Sequence, residues 1–358
     1  MALHFHTLRI QEIIRETPDC ISVRFEVPES LAETFRFLPG QNVTLRTQIQ
    51  GEDVRRSYSI CKAPFENQLA VAIKKVNGGL FSTYANEQFQ IGDMIDVMPP
   101  TGKFHPNLEP LQQKNYLMLA AGSGITPIIS LTKTILREEP QSTVTLVYGN
   151  KSRSQVIFFE ALEGLKNKYL DRFTLIHVLS REKTDAAINH GRINYAKLET
   201  LWPLLDTAAI HEAFICGPEE MIFASRDFLQ DKGLSASHIH FELFGTAAAK
   251  RTVIPSDQRN TSDTPTSQIT IRLDGRTVQF PLAYDSESIL DAALQQGADL
   301  PFACKGGVCC TCKAKLIAGE IDMAVNYALE PEEVIRGYIL TCQARPKTAE
   351  VEIDFDQR

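Results

Sequence analysis

Four cysteines near the C-terminal end of the chain have the spacing of an iron–sulfur site. Cys304, Cys309, Cys312 and Cys342 form a C-x4-C-x2-C run followed by a distant fourth cysteine, which is the plant-type arrangement for a [2Fe–2S] cluster. Four thiolates must converge on two irons, and the loop Lys305–Val308 has two central glycines that let its backbone approach the sulfurs. We therefore expect these four cysteines to be the metal ligands.

A structural zinc site or four incidental core cysteines are the alternatives. Zinc sites usually combine two C-x2-C pairs or include histidines, whereas residues 268–358 contain one such pair and no histidine. Cys310 stands between two ligands, and the spacing gives it the role of a small buried residue. Cys20, Cys61 and Cys216 are expected to be ordinary buried thiols.

A second group of residues suits a flavin. Arg56, Tyr58 and Ser59 lie on an expected strand, in which alternation places Arg56 and Tyr58 on one face. An arginine can neutralise a diphosphate, a tyrosine offers a flat face to a ring, and a serine can bond a ring heteroatom. Gly79 and Ser82 stand where a helix is expected to begin, and free N–H groups at a helix start bind phosphate. Taken alone, the R-x-Y-S run is more often a half-buried strand with a solvated arginine.

A third group suits a dinucleotide. Gly122, Gly124, Thr126 and Pro127 follow the apolar run Leu117–Ala121 and precede an expected helix. The glycines let the backbone turn and approach a pyrophosphate at the helix N-terminus. Because Pro127 takes the place of the third glycine, the G-x-G-x-x-G motif is incomplete and does not by itself identify a dinucleotide site.

Two further strand ends add to the dinucleotide interpretation. Cys216, Gly217 and Pro218 follow an apolar strand, and a buried strand end is the alternative explanation of the cysteine. Ser180 and Arg181 follow another apolar strand. A cation there suits the 2′-phosphate of NADPH better than the acidic residue typical of NAD sites, although a solvated loop arginine is the alternative.

The elements that must position these residues fall into blocks. Residues 1–110 contain short β-rich runs between turn signals, which predict an antiparallel barrel or sandwich. Residues 111–245 alternate apolar runs with helical segments at 128–137, 158–168 and 219–232, which predicts a parallel α/β sheet. Residues 246–267 are rich in Thr, Ser, Asp and Pro and are expected to form a flexible linker.

The last block, residues 268–358, opens with an expected hairpin around Asp274-Gly275. A helix at 288–297 follows, with Ser286 as its expected N-cap. This block has 14 acidic and 9 basic residues, so it carries most of the net charge of −7. An acidic block of this kind would steer the protein, during association, towards a basic patch on a partner.

The motifs, in this order and spacing, resemble those of the ferredoxin–NADP reductase superfamily, with R-x-Y-S and G-x-x-S for the flavin and G-x-G-x-T-P and C-G-P for the nicotinamide dinucleotide. The resemblance implies a β-barrel flavin domain with FAD favoured over FMN, an α/β nicotinamide domain, and a β-grasp-like ferredoxin domain. It gives catalytic roles to Ser59, Cys216 and Glu242. The cofactor-binding residues that it implies are Arg56, Tyr58, Ser59, Val71, Lys74, Gly79, Ser82, Gly122, Gly124, Thr126, Pro127, Ser180, Arg181, Cys216, Gly217, Pro218 and Phe244.

The order of flavin, nicotinamide and ferredoxin blocks is similar to that of reductase components of multicomponent oxygenases, and most of all to the reductase subunits of bacterial phenylacetyl-CoA 1,2-epoxidases. The stretches that carry this resemblance are 37–41, 55–61, 120–127, 213–218, 287–312 and 326–330. It implies transfer of electrons from NADPH through FAD and [2Fe–2S] to an oxygenase, expected to be a diiron enzyme. The alternatives are a reductase of another oxygenase or acyl desaturase, and a redox-sensing flavo-iron–sulfur protein.

Composition excludes several other classes. The chain has 358 residues, of which 43% are hydrophobic and 23% charged, and its net negative charge argues against a nucleic-acid binder. We expect no signal peptide, because residues 1–10 lack a basic stretch followed by an apolar core and a small-residue cleavage site. We expect a cytoplasmic location, since the thiols cluster in one segment rather than forming a disulfide framework. The longest uncharged stretch, Asn115–Thr132, contains glycines and a proline, so it is expected to be a strand, a turn and a helix rather than a membrane span.

Overall fold

The computed structural model describes residues 4–205, 210–244, 265–284 and 286–357. They form two compact units. The larger runs from His6 to Phe244 except for residues 55–57, and the smaller contains the described part of the C-terminal block. Residues 246–264 of the expected linker lie outside the described residues, and Thr266 and Ser267 already belong to a strand. The domain boundaries and the flexibility of the linker stay predictions.

The first half of the larger unit is a six-stranded antiparallel barrel in the order β4-β3-β6-β1-β2-β5. A bridge between Ile60 and Val71 joins the two outer strands, so the sheet closes on itself. Apolar side chains from alternate positions fill its interior. The elements are β1 (His6–Thr17), β2 (Cys20–Glu26), β3 (Asn42–Ile49), β4 (Glu52–Ser59), β5 (Leu69–Lys74), α1 (Leu80–Gln88) and β6 (Met94–Val97).

The strand β1 is one that the sequence patterns did not indicate. Its pairing with β2 shifts register between Ile10 and Glu12 and again between Arg15 and Thr17. Each shift inserts an unpaired residue and breaks the alternation of apolar and polar side chains. A strand with two such irregularities does not show the two-residue period by which strands are found in sequences.

The second half of the larger unit is a five-stranded parallel sheet in the order β11-β10-β7-β8-β9, as predicted. Its central strands are apolar on both faces because helices cover the sheet. The elements are β7 (Asn115–Ala121), α2 (Ile125–Glu138), β8 (Thr143–Asn150), α3 (Phe159–Lys168), β9 (Phe173–Leu179), α4 (Tyr195–Leu201), β10 (Ile210–Gly217), α5 (Glu219–Asp231) and β11 (Ile239–Leu243).

The uncharged stretch 115–132 forms β7, a turn and the first half of α2, as predicted. In α2, buried apolar residues recur at three- and four-residue intervals, as at Ile125, Ile128, Ile129 and Ile135, and face the sheet. Among the described residues, no helix is long and apolar enough to cross a membrane.

The smaller unit has a β-grasp arrangement, with a five-stranded sheet in the order β13-β12-β18-β14-β16 and a separate pair β15-β17. The predicted hairpin is present, and Asp274 and Gly275 have the positive φ values of 51° and 70° that its two-residue turn requires. The elements are β12 (Thr266–Leu273), β13 (Arg276–Ala283), α6 (Ile289–Gln295), β14 (Lys313–Ala318), β15 (Ile321–Met323), α7 (Pro331–Ile335), β16 (Tyr338–Leu340), β17 (Ala344–Pro346) and β18 (Glu350–Asp354).

The predicted N-cap of α6 was wrong by two residues. Ser288, not Ser286, caps the helix, and its Oγ accepts a hydrogen bond from the N–H of Asp291 at 3.1 Å. The hydroxyl of Ser286 instead donates to the carbonyl oxygen of Ala283 at 2.6 Å. Both serines satisfy the general preference for a hydroxyl before a helix, and only the backbone path distinguishes them.

Candidate functional site

Two of the sequence motifs meet where the strand order of the parallel sheet reverses. The chain passes from β7 to β8 on one side, whereas β10 pairs with β7 on the other. Cys216 of β10 lies opposite Ala120 of β7, so both strands end at the same edge. Ligands of open α/β sheets bind outside the carboxyl ends of the strands at such a reversal.

The glycines at this edge allow a close approach that no other residue would permit. A Cβ on Gly124 would lie 2.0 Å from the carbonyl oxygen of Cys216, well inside contact distance. Gly122 has a φ of +55°, and its carbonyl oxygen accepts a hydrogen bond from the hydroxyl of buried Tyr148 at 2.9 Å. The turn therefore packs directly against the C-G-P segment.

Thr126 and Pro127 shape the start of the following helix. The hydroxyl of Thr126 donates to the carbonyl oxygen of Ser123 at 3.0 Å and so closes the turn. Pro127 is the third residue of α2, where the absent N–H costs no intrahelical hydrogen bond. This explains why a proline can replace the third glycine of the dinucleotide motif.

The three residues predicted to be catalytic come together from different strands. Glu242 of β11 lies opposite Cys216 of β10, and its Oε2 accepts a hydrogen bond from the Ser59 hydroxyl at 3.1 Å. Burial raises the pKa of the Glu242 carboxyl to about 7, although its hydrogen bonds lower it. Burial also raises the pKa of the Cys216 thiol well above its usual value, with a smaller contribution from Glu242. Cys216 is therefore a neutral thiol rather than a thiolate nucleophile.

The residues expected to hold a flavin lie on the barrel. Tyr58 is partly buried with its ring 5.6 Å from that of Phe81, and Arg56 is exposed two positions earlier on β4. The hydroxyl of Ser82 accepts from the N–H of Val76 at 3.1 Å and so fixes the loop before α1. At Gly79 this helix has no side-chain cap, which leaves the N–H groups of its first turn able to bind an anion.

Val71 and Lys74, both expected to bind cofactor, lie on β5 in different surroundings. Val71 is fully buried and packs its side chain in the barrel core, so the fold does not bring that side chain to the site. Lys74 is partly exposed, and its Nζ lies 3.9 Å from where a Cβ on Gly122 would stand. Lys74 thus reaches the dinucleotide turn, and it also pairs with Asp19 at 3.7 Å.

Ser180 and Arg181 lie at the same sheet edge as the glycine turn, after β9. The N–H of Ser180 donates to Asn150 and that of Arg181 to Lys151, at 2.9 and 2.8 Å. Arg181 and Lys151 are both exposed, so two cations stand side by side. The sequence did not single out Lys151, although its position directly after a buried strand was a usable signal. Phe244, just beyond β11, is 44% exposed.

The cysteine loop of the smaller unit gathers its four expected ligands. The sulfurs of Cys304 and Cys309 are 3.1 Å apart, and Cys342 is hydrogen-bonded to both Cys304 and Cys312. Among the described residues, no group of three or more His, Cys, Asp or Glu side chains is placed so that it could hold a metal ion. A chain of thiol contacts suits a cluster in which two irons share four thiolates.

The loop backbone is shaped for such a cluster. Lys305 and Gly307 have φ values of 51° and 73°, and a Cβ on Gly307 would lie 2.7 Å from the carbonyl oxygen of Val325. The N–H of Gly306 donates to the sulfur of Cys304 at 3.3 Å. Backbone donors of this kind stabilise thiolates and tune a cluster. The donor set and the loop therefore fit a [2Fe–2S] cluster.

The remaining cysteines behave mostly as expected. Cys20, Cys61 and Cys216 are buried, and burial raises the pKa of both Cys20 and Cys61 to about 12. Cys310 is only half-buried, contrary to expectation, because its side chain turns aside to reach the carbonyl oxygen of Ala328 at 3.1 Å. The Cys310 sulfur is therefore directed at Ala328, and Cys310 is not expected to be a ligand as its neighbour Cys309 is.

Sequence reasoning missed two residues that the fold places at the reversal point. Tyr148 supports Gly122 from inside the sheet. Asn42, the first residue of β3, directs its amide nitrogen at Oε1 of Glu242 over 3.4 Å. Asn42 comes directly after the stretch 37–41, which carries part of the family resemblance, but no local pattern relates it to a residue 200 positions away.

Three family models match successive parts of the chain. They are the oxidoreductase FAD-binding domain over residues 7–105, the oxidoreductase NAD-binding domain over 118–227 and the 2Fe-2S iron-sulfur cluster binding domain over 271–347. The first range covers the barrel, the second most of the parallel sheet without β11, and the third most of the β-grasp unit without β18.

Curated relatives match over nearly the full length. The chain is 43% identical to a component of the 1,2-phenylacetyl-CoA epoxidase of Escherichia coli (strain K12), over 99% of this chain and 98% of the relative. It is 33% identical to the ferredoxin reductase component of 3-ketosteroid-9-alpha-monooxygenase of Mycobacterium tuberculosis, over 99% and 97%. Among solved structures, phthalate dioxygenase reductase shares the fold over 98% of both chains, with a TM-score of 0.58 and 22% identity.

The chain therefore belongs to the ferredoxin–NADP reductase superfamily, in the family of oxygenase reductase components that carry a C-terminal 2Fe–2S domain. It is an oxidoreductase whose cofactors are FAD and a [2Fe–2S] cluster and whose electron donor is NAD(P)H. Its partner is the oxygenase component of a multicomponent system.

Proposed function

We propose that this protein delivers electrons from NADPH to the oxygenase that epoxidises the ring of phenylacetyl-CoA, in aerobic phenylacetate degradation. The observation that carries the proposal is the 43% identity to the epoxidase component, which extends through all three cofactor domains. The identity to the ketosteroid monooxygenase reductase is ten percentage points lower over the same length.

The nicotinamide dinucleotide is proposed to bind along the carboxyl edge of the parallel sheet. Gly122 and Gly124 provide the close approach for its pyrophosphate, and Thr126 and Pro127 shape the helix N-terminus behind it. Cys216, Gly217 and Pro218 form the floor beneath the nicotinamide, and Phe244 stands at the end of the neighbouring strand.

Selection of NADPH over NADH is proposed to depend on the exposed cations at the other end of this edge. Arg181 and Ser180 would bind the 2′-phosphate, with Lys151 beside them. Two cations and a hydroxyl satisfy a doubly charged phosphate better than they satisfy a ribose hydroxyl.

The flavin is proposed to lie on the barrel next to this edge. Arg56 would neutralise its diphosphate together with the free N–H groups after Gly79, and Tyr58 would pack on the ring. Ser82 holds the loop in place. Lys74 reaches the dinucleotide turn, and Val71 contributes through the position of β5.

The contribution of the chain at the reaction centre is orientation and control of one proton. Bound FAD would accept two electrons from NADPH and release them singly to a [2Fe–2S] cluster held by Cys304, Cys309, Cys312 and Cys342. Ser59 and Glu242 form a hydrogen-bonded pair beside Cys216. Because the pKa of Glu242 is near 7, this pair can hold or give up a proton at physiological pH.

The partner is proposed to be a diiron oxygenase, which takes electrons one at a time. The acidic C-terminal block, with 14 acidic against 9 basic residues, would favour a basic docking patch. A cytoplasmic location is proposed as well, since reduced thiols and iron–sulfur ligands persist in a reducing compartment.

Reconstitution tests the proposal. The purified protein, NADPH and a phenylacetyl-CoA oxygenase component should together consume phenylacetyl-CoA and oxygen, and omission of any of the three should abolish turnover. A ketosteroid or glycine betaine oxygenase supported at an equal or higher rate would instead favour the second candidate, a reductase of another oxygenase, which the 33% and 29% identities keep open.

A further inference from the structure

Two side chains of the barrel donate hydrogen bonds to the carboxyl group of Glu242, one to each oxygen. Ser59 at the end of β4 donates to Oε2 at 3.1 Å, and Asn42 at the start of β3 donates to Oε1 at 3.4 Å. The N–H of Ile60 donates to the carbonyl oxygen of Gln41 at 2.8 Å, so the backbone holds these two donors next to each other.

The backbone fixes the position of Asn42. Its N–H and carbonyl oxygen exchange hydrogen bonds with Thr101, each 2.8 Å long. A Cβ on Gly102 would lie 2.9 Å from the amide nitrogen, so only glycine there leaves the amide its present place. The backbone hydrogen bonds and the space left by Gly102 therefore fix the Asn42 side chain next to Glu242.

The amide is not explained by fold stability. Asn42 is 8% exposed, and its Oδ1 is buried with no hydrogen-bond partner among the described residues. A buried acceptor without a donor loses the hydrogen bonds it made to water and so lowers stability. The single long hydrogen bond to Glu242 does not offset such a cost, which points to a role in the reaction centre.

We propose that Asn42 is a positioning residue that holds the Glu242 carboxyl group between the barrel and the parallel sheet and sets its affinity for a proton. This rests on the proposed function, in which Glu242 is the proton-exchanging group beside the nicotinamide. Asn42 acts through Glu242 and is not itself a catalytic residue.

The surroundings of Glu242 allow the Asn42 amide to affect the pKa of its carboxyl group. Burial raises the pKa of the Glu242 carboxyl, and the hydrogen bonds from Ser59 and Asn42 lower it. The neighbouring strand offers the neutral thiol of Cys216, and α5, which packs on β11, carries Glu219, Glu220 and Arg226. Because no described cation pairs with this carboxyl, a neutral donor has a measurable share of the control.

Infrared titration of the oxidised holoenzyme tests the proposal without turnover. The carbonyl stretch of the protonated Glu242, identified as the band absent from Glu242→Gln, should disappear with a midpoint near neutral pH. In Asn42→Ala the midpoint should rise by about 0.5–1 pH unit, because a hydrogen bond of about 1 kcal/mol to the carboxylate is lost. Asn42→Asp should raise it further, since two carboxylates would then compete.

Gln112→Ala is the matched control. Gln112 also has a buried amide oxygen with no partner among the described residues, but its amide nitrogen donates to the backbone of Asn107. This variant should leave the Glu242 midpoint unchanged. If folded Asn42→Ala keeps the wild-type midpoint, the proposal is overturned. Failure of phenylacetyl-CoA turnover with a normal infrared shift would instead overturn the proposed function.

Discussion

The two redox sites of this molecule are built in opposite ways. In the cysteine loop, three of the four proposed cluster ligands lie within nine consecutive residues, 304–312, and the backbone between them is bent by Lys305 and Gly307. At the reversal point of the parallel sheet, Asn42, Ser59 and Glu242 come from three strands and two sheets. A local site can be recognised from spacing, whereas a long-range site depends on strand order and register.

This difference predicts different consequences of substitution. Loss of a ligand from the local site should remove the cluster and leave the rest of the chain working. A change at the reversal point should affect nucleotide binding, stability and proton affinity together, because the same strand ends determine all three.

The largest effect is expected from Cys342→Ser. The cluster should be lost, with electron delivery to the oxygenase or to cytochrome c reduced to background, whereas NADPH-driven reduction of ferricyanide by the flavin should persist. Iron content and visible spectra measure the first effect, and steady-state assays measure the second. Cys310→Ser is the control and should keep a full cluster, since Cys310 bonds Ala328 instead. Loss of both activities in Cys342→Ser would contradict the separation of the two sites.

A large effect is also expected from Gly124→Ala. The added methyl group would lie 2.0 Å from the carbonyl oxygen of Cys216, so β7 and β10 must move apart at the site. We expect a loss of stability of more than about 2 kcal/mol and a KM for NADPH raised at least about tenfold. Urea unfolding and steady-state kinetics provide the measurements.

The control for this change is Gly164→Ala. Gly164 lies in α3 with nothing within 4 Å of an added Cβ, so this variant should gain about 0.5–1 kcal/mol and keep its KM. If Gly124→Ala behaves like Gly164→Ala, the close approach at the reversal point is not needed for binding.

Arg181→Ala tests which part of the carboxyl edge of the parallel sheet distinguishes NADPH from NADH. The kcat/KM with NADPH should fall about 10–30-fold, while the value with NADH stays within about twofold, since only NADPH carries the 2′-phosphate. Lys183→Ala, at an exposed lysine two positions further on, should change neither value. An equal loss with both nucleotides would mean that Arg181 supports the loop rather than the phosphate.

The smallest expected effect is a pH dependence of stability. Burial raises the pKa of Glu242 from 4.5 to about 7 in the folded protein. Between these values the folded state binds more protons than the unfolded state, so this group makes stability fall as pH rises. Glu242→Gln should therefore gain about 1–2 kcal/mol relative to wild type between pH 6 and pH 8. Urea unfolding measures this difference in the free energy of unfolding. The same difference between the two proteins at both pH values would contradict the burial of this carboxyl.

The same contrast explains how far sequence reasoning could go. The cysteine spacing, the apolar runs of the parallel sheet and the glycine turn before α2 each have a local signature, so the fold class was predictable and a set of cluster ligands could be proposed. Strand β1 was hidden by its register shifts, and Asn42 by its separation from Glu242. Val71 was expected to bind cofactor, and its side chain fills the barrel core; the run of five apolar residues along β5 gives no alternation from which that direction could be read.

An anaerobic titration with NADPH, followed by visible and electron paramagnetic resonance spectra, tests the central claim most directly. The account predicts that the flavin absorbance bleaches together with that of the cluster, and that a signal of a reduced [2Fe–2S] centre appears. A protein whose flavin is reduced while its cluster stays oxidised, with no such signal even at long times, would contradict an electron path from the nucleotide edge to the cysteine loop.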